Sequence, residues 1–172
     1  TSKLADRIDQ LIAGLAVGNL AWITWHLGGY LSGPMATAFP VLMATLALVV
    51  LRWLVIDPIG MPRLWWLPLP FILWVGVHMG GVAEVPGRAL LHGLHIIGGA
   101  ASFWIGLHVA RSAGARRILN VGVGGMVLGA MIMAFYQIFI DPAWLPMGRE
   151  QSIYFLKRSS GPFGNPGRGY EN

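Results

Sequence analysis

The sequence predicts an all-α fold, a polytopic bundle of five transmembrane helices. The first observation is compositional: 55% of the 172 residues are apolar and 11% are charged, too few charges for a soluble domain of this size. The second is that the apolar residues fall into five runs close to the ~20 residues that a bilayer requires. Because backbone groups cannot stay unpaired in lipid, and the runs are too long and continuous for barrel strands, each run is expected to be a helix.

The five predicted spans lie at about residues 11–30, 35–56, 64–82, 89–110 and 118–140. The residues before the first span are polar, and no convincing small-residue cleavage site follows it, so we expect this span to be retained. Pro40 lies near the start of the second span, and Pro68 and Pro70 lie in the first turns of the third. Residues 1–140 are therefore expected to form the transmembrane domain and residues 141–172 an extramembrane tail.

Lysine and arginine predict the orientation of the bundle, because cytoplasmic loops of membrane proteins carry an excess of both. One side is expected to carry Lys3, Arg7, Arg52, Arg63, Arg111, Arg116 and Arg117. The loops of the other side carry only Arg88. The first side is expected to be cytoplasmic, which places the tail outside and the chain in a bacterial inner membrane. These topology signals account for the net charge of +5, so we expect no nucleic-acid partner.

The tail, residues 141–172, ends in SSGPFGNPGRGYEN, which is rich in Gly, Pro and Ser. A segment of this composition cannot pack a core of its own. We therefore expect another subunit of a membrane complex to hold it on the outer side.

Small residues predict where helices pack closely. Gly14 and Gly18 in the first span, and Gly125 and Gly129 in the fifth, form small-xxx-small pairs that let another helix approach. In the fourth span one helical face is small and polar. This face comprises His95, Gly99, Ser102 and Gly106.

Histidines are the main candidates for chemistry, since the chain has no cysteine and no Asp or Glu within a predicted span. The lack of such carboxylates argues against a proton-coupled transporter. Four histidines are expected near the outer membrane surface, with Glu84 and Arg88 in the loop between them: His26, His78, His92 and His95. They could be hydrogen-bonded at interfaces, could hold a haem b or a chlorophyll-type pigment, or could form a copper or zinc site with Glu84.

The octet HGLHIIGG, residues 92–99, resembles the His-Gly-Leu-His-Val-x-x-Gly segment of haem–copper oxidase subunit III. In that family the segment also opens a transmembrane helix, and several members have five spans. The resemblance implies an accessory subunit without a redox centre, which supports a catalytic subunit and binds lipid.

The leading hypothesis from the sequence is a non-catalytic integral membrane accessory subunit of a larger energy-converting complex, respiratory or photosynthetic. The first alternative is an electron- or energy-transfer subunit that binds a single tetrapyrrole through the outer-side histidines. The second alternative is a small membrane enzyme with a metal site. The expected partners are other membrane subunits and lipid.

Overall fold

The computed structural model describes residues 3–26, 32–56, 63–82, 86–141, 144–145 and 149–150. These residues form five α-helices: α1 Lys3–Trp25, α2 Ser32–Val55, α3 Leu69–Val77, α4 Pro86–Val109 and α5 Ala113–Phe139. A 3-10 turn, Arg63–Trp66, precedes α3, and a π-helical turn, His78–Val82, follows it. Two short strands, β1 Trp144–Leu145 and β2 Arg149–Glu150, pair in antiparallel orientation. The helical fold predicted from the sequence is confirmed for this part of the chain.

Three segments of the described chain are long and apolar enough to cross a membrane: Ala36–Val55, Leu64–Gly81 and Ala113–Phe139. They correspond to the second, third and fifth predicted spans. α1 and α4 have 23 and 24 residues, so both have the length of a span. α1 begins well before the predicted first span, however, and its first turns carry Asp6, Arg7 and Asp9. The count of five crossings therefore stays a prediction.

The third predicted span, residues 64–82, is a broken helix and not the continuous one that was expected. Only Leu69–Val77 is α-helical. The break coincides with Pro68 and Pro70, which lack an N–H donor and disfavour helical backbone at the preceding residue. The amides of Phe71 and Ile72 both donate to the Pro68 carbonyl at 3.1 Å, which starts the α-helix one turn after the 3-10 turn.

The described residues group into two compact units. The first comprises the chain up to Ala16 together with Phe39–Ile118, and the second comprises Val17–Ala38 together with the chain from Leu119 onward. The apolar core of the first unit consists of Ala5, Ile12, Ala13, Val49, Trp53, Val75, Ala100, Ala101, Ile105, Val109 and Ala115. In the second unit the buried residues are Asn19, Ala38, Met133 and Gln137.

Close helix approaches occur at glycines other than those that the sequence predicted. In the second unit a Cβ at Gly122 would clash with the Val17 side chain, so α1 and α5 come close there. In the first unit a Cβ at Gly93 would lie 2.8 Å from Met79 Sδ. An added Cβ would meet nothing within 4 Å at Gly14, Gly18, Gly99, Gly106 and Gly125. Gly129 makes an ordinary contact, with Trp25 at 3.5 Å.

The start of the predicted tail packs against the end of α5. Gln137, which is 2% exposed, donates from Nε2 to the Trp144 carbonyl at 2.8 Å. The rings of Tyr136 and Trp144 meet edge to face with centroids 5.2 Å apart. Residues 151–172, where the sequence predicts a partner contact, lie outside the described residues.

Candidate functional site

A buried charged cluster joins three helices of the first unit. Asp9 lies on α1, Arg52 in the last turn of α2 and His108 in the last turn of α4. The Asp9 Oδ1 atom accepts hydrogen bonds from Arg52 Nε at 3.2 Å and from His108 Nε2 at 2.9 Å. The three residues are only 7%, 6% and 4% exposed, so this ion pair and its histidine are shielded from solvent.

Trp53 determines the protonation state of His108. Its indole Nε1–H donates to His108 Nδ1 at 2.8 Å, and an indole N–H is only a donor. Nδ1 must therefore carry a lone pair, and the ring proton sits on Nε2, where it is donated to Asp9. His108 is thus a neutral imidazole between a donor and an acceptor. With both ring nitrogens occupied, it has no lone pair left for a metal in this arrangement.

A row of tryptophans extends the cluster. The centroids of Trp53 and Trp65 are 4.3 Å apart, and Trp65 and Trp104 stack at 5.2 Å. Trp104 Nε1 donates to the Trp65 carbonyl at 3.0 Å. The row therefore links the end of α2, the 3-10 turn before α3 and α4.

The charged cluster opens into a cleft of about 440 Å³. The cleft is lined by Asp6, Asp9, Gln10, Arg52, Trp53, His108, Arg111, Ser112, Ala113 and Gly114. The Arg111 guanidinium carbon lies 5.7 Å from the centroid of the Trp53 ring, within the range of a cation–π contact. Ser112 caps α5, because its Oγ accepts from the Ala115 amide at 3.4 Å.

The sequence interpretation missed this cluster because it placed Asp9 in a polar segment before the first span. The structure corrects that placement, since α1 begins at Lys3 and buries Asp9. The sequence does contain a pattern that indicates the burial of Asp9. The three- and four-residue spacing of one helical face is followed by Ala5, Asp9, Ile12 and Ala13. All four are buried. A carboxylate on an otherwise apolar stripe requires a partner, and Arg52 and His108 supply it.

Of the four histidines predicted to form a site, one belongs to the second unit and three belong to the first. His26 follows α1, with Nδ1 2.8 Å from the Trp22 carbonyl, and belongs to the second unit. In the first unit His78 stacks on Trp74 at 6.3 Å, while His92 and His95 are exposed on α4. No group of three His, Asp or Glu side chains that could hold a metal ion occurs among the described residues, and Glu84 lies outside them.

The predicted small and polar face of α4 points away from the core of the first unit: His95, Gly99 and Ser102 are exposed, and Gly106 is half-buried. His92 is also exposed and lies within about 80° of the three exposed residues, and we call these four exposed residues the polar face of α4. The buried side of α4 carries Gly93, Ala100, Ala101, Ile105 and His108. His95 is the tenth of the 24 residues of α4 and therefore lies close to the middle of the helix. The sequence had placed it at the outer end of the span.

A smaller apolar cleft of about 260 Å³ adjoins this face between the α3 region and α4. It is lined by Leu67, Pro68, Phe71, Ile96, Gly99, Ala100 and Phe103. Gly99 therefore belongs both to the polar face of α4 and to the wall of an apolar cleft.

Comparison of the chain with protein-family models, with curated proteins and with solved structures found no match.

Proposed function

We propose that this chain is a non-catalytic integral membrane subunit that stabilises a larger energy-converting complex, respiratory or photosynthetic. Its partner contact would be the polar face of α4, composed of His92, His95, Gly99 and Ser102. The observation that carries this proposal is the exposure of that face at the middle of a helix of span length.

The chemistry of the face favours protein over lipid as its neighbour. Polar and ionisable side chains inside a membrane are costly where they face lipid and usually face other protein. Small residues beside them let a second helix come close enough to hydrogen-bond. Gly99 has open space around it, since an added Cβ would meet nothing within 4 Å. The α4 face therefore has both the polar groups and the room that a partner helix requires.

The exposed surface of α5 from Val121 onward does not have this character. α5 exposes apolar side chains along its length, among them Val121, Leu128 and Ile132 at 68%, 58% and 60%. Lipid chains cover such residues without cost, because the hydrocarbon is as apolar as the side chains. Lipid alone therefore accounts for the exposure of α5, whereas the exposed polar residues of α4 favour a protein partner.

The proposal includes five crossings of a bacterial inner membrane, with the N-terminus in the cytoplasm and the tail outside. It is supported by the lining of the 440 Å³ cleft, to which α1 contributes Asp6, α2 contributes Arg52 and the α4–α5 turn contributes Arg111. The beginning of α1 and the ends of α2 and α4 thus meet at one site. Chains that cross alternately bring these ends to the same side, and the positive-inside rule assigns that side to the cytoplasm.

The test is to place a bulky side chain on the face. Gly99→Trp should release the chain from its complex. Native electrophoresis of gently solubilised membranes would then show the chain in a smaller particle, and co-purification would no longer recover its partners. Gly76→Trp, on α3, is the matched control, because Gly76 is also exposed with nothing within 4 Å of an added Cβ. Equal retention of both variants in the complex, or a wild-type chain that is monomeric in native membranes, would refute the proposal.

A second candidate function is the binding of a single haem b or chlorophyll-type pigment through His95. It is favoured by the apolar cleft whose wall includes Ile96, the neighbour of His95, because pockets for cofactors are lined mostly by apolar side chains. An absorption spectrum of the purified chain, oxidised and reduced, tests it. His95→Ala should remove the pigment band and His92→Ala should leave it. A purified chain without such a band would exclude this function.

A further inference from the structure

The cleft beside the charged cluster contains an arginine that is almost fully buried and uses only one of its five N–H donors in the described part of the chain. The Arg52 side chain is 5% exposed and pairs with Asp9 through Nε alone. A guanidinium has five N–H donors, and four of them are on Nη1 and Nη2. Neither of these nitrogens forms a hydrogen bond with another residue in the described part of the chain.

Arg52 is one of the residues that line the cleft. Trp65 Nε1 is the one side-chain nitrogen or oxygen in the described residues that is fully buried without a partner, so the Nη atoms of Arg52 are not completely enclosed. A buried cation with unfilled donors on a cavity of this size is a site for an acceptor, and planar guanidinium forks match the oxygens of a phosphate or a carboxylate.

Two further groups make the same cleft favourable for an anion. Arg111 lines it and is held over the face of Trp53. The first residues of α5, Ala113 and Gly114, also line it, and the amides of a first turn have no partner within their own helix. α5 has 27 residues, so its N-terminus carries the partial positive charge of a full helix dipole.

The charges of the cleft also restrict which anion fits. Arg52 and Arg111 are balanced by Asp9 and Asp6, and His108 is neutral, so the lining has no net charge. Asp9 is already paired with Arg52, whereas Asp6 is exposed. A dianion would be repelled by Asp6. A ligand that carries one phosphate charge and a nearby ammonium would use the arginines and Asp6 together.

We propose that this cleft binds a phosphoethanolamine group, with the phosphate toward Arg52, Arg111 and the start of α5, and the ammonium toward Asp6. The group could be the headgroup of a phospholipid or a free solute. The cleft lies at the ends of α2 and α4 and at the start of α5. Because α2 and α5 contain segments that can cross a membrane, these helix ends are expected at the depth of the lipid headgroups. This site goes beyond the partner contact proposed on α4 and does not depend on it.

The experiment measures binding to the purified full chain in detergent by native mass spectrometry. The probes are phosphatidylethanolamine and phosphatidylglycerol with identical acyl chains and, separately, free phosphoethanolamine. Arg111→Gln should weaken binding of phosphatidylethanolamine by about tenfold, the effect of losing one charge-assisted hydrogen bond. The matched control is Arg117→Gln, which removes the same charge from an exposed position that does not line the cleft. It should leave binding unchanged. Asp6→Asn should shift the preference from phosphatidylethanolamine toward phosphatidylglycerol.

Each outcome separates the sources or refutes the site. Binding of the lipid without binding of free phosphoethanolamine identifies a lipid headgroup, and comparable binding of both identifies a solute. Equal losses in Arg111→Gln and Arg117→Gln would mean that surface charge alone attracts lipid, which overturns the proposal. It is also overturned if the wild-type chain does not distinguish the two lipids, or binds none of the probes. None of these results bears on the Gly99→Trp test.

Discussion

Removing the charge of Asp9 should destabilise the first unit more than removing any exposed charge on α1. Asp9→Asn keeps the shape of the side chain and an oxygen that can accept from His108. It leaves Arg52, which is 6% exposed, as a buried cation without a counter-charge. Breaking a buried ion pair from one side costs about 3–5 kcal/mol of the free energy of unfolding.

The magnitude follows from the geometry of the cluster. Arg52 Nε is 3.2 Å from Asp9 Oδ1, and the two side chains are 5% and 10% exposed, so solvent screens the pair little. Arg52→Met should cost a similar amount, because it leaves the Asp9 carboxylate with His108 alone. The double variant Asp9→Asn, Arg52→Met leaves no charged side chain in the cluster of residues 9, 52 and 108. It should therefore be closer in stability to the wild-type chain than either single variant.

Unfolding would be measured in mixed micelles of a mild detergent and sodium dodecyl sulfate, followed by far-ultraviolet circular dichroism. Asp6→Asn is the control, since Asp6 lies one turn earlier on the same helix and is exposed. It should change the free energy of unfolding by less than about 0.5 kcal/mol. If Asp9→Asn behaves like Asp6→Asn, or if the double variant is less stable than both single variants, the assignment of Asp9 and Arg52 as a buried ion pair is wrong.

Two more predictions concern packing and the neutral histidine. Gly122→Ala should cost about 1–3 kcal/mol, because the new methyl overlaps the stiff Val17 side chain. Gly125→Ala, with open space around it, should not be destabilising in the same unfolding measurement, and equal losses would contradict the close approach. Trp53→Phe should cost at least about 1–3 kcal/mol, since it leaves the buried His108 Nδ1 without a donor. Trp66→Phe, at a 64% exposed position, should have almost no effect, and a similar loss there would show that tryptophan content alone matters.

The spacing of residues along one helix predicts which side chains share a face, but it does not predict which helices meet. The polar face of α4 follows from the spacing of His95, Gly99 and Ser102 along one helix, and the structure leaves all three exposed. The Asp9–Arg52–His108 cluster joins residues that are 43 and 99 positions apart. The spacing along one helix indicates that Asp9 is buried, but it contains no information about which helix ends supply its partners.

The same distinction applies to the close-packed glycines. A small-xxx-small pair indicates that a helix can be approached, and Gly14, Gly18, Gly125 and Gly129 satisfy that pattern. Where the approach occurs depends on the register between two helices and on the side chain opposite. In the second unit that register places Val17 against Gly122, a position outside both predicted pairs.

The sequence by itself determined the helical fold and the apolar character of the chain, because hydrophobic run length and backbone hydrogen bonding are properties of neighbouring residues. It did not predict the break before α3: residues 64–82 were expected to form one continuous helix, although Pro68 and Pro70 lie at the break. Only the tertiary structure decided that Asp9 is buried with Arg52 and His108, and that Arg52 and Arg111 share one cleft. Such contacts depend on how separate helices pack, and the free energy that selects one packing arises between side chains far apart in the chain.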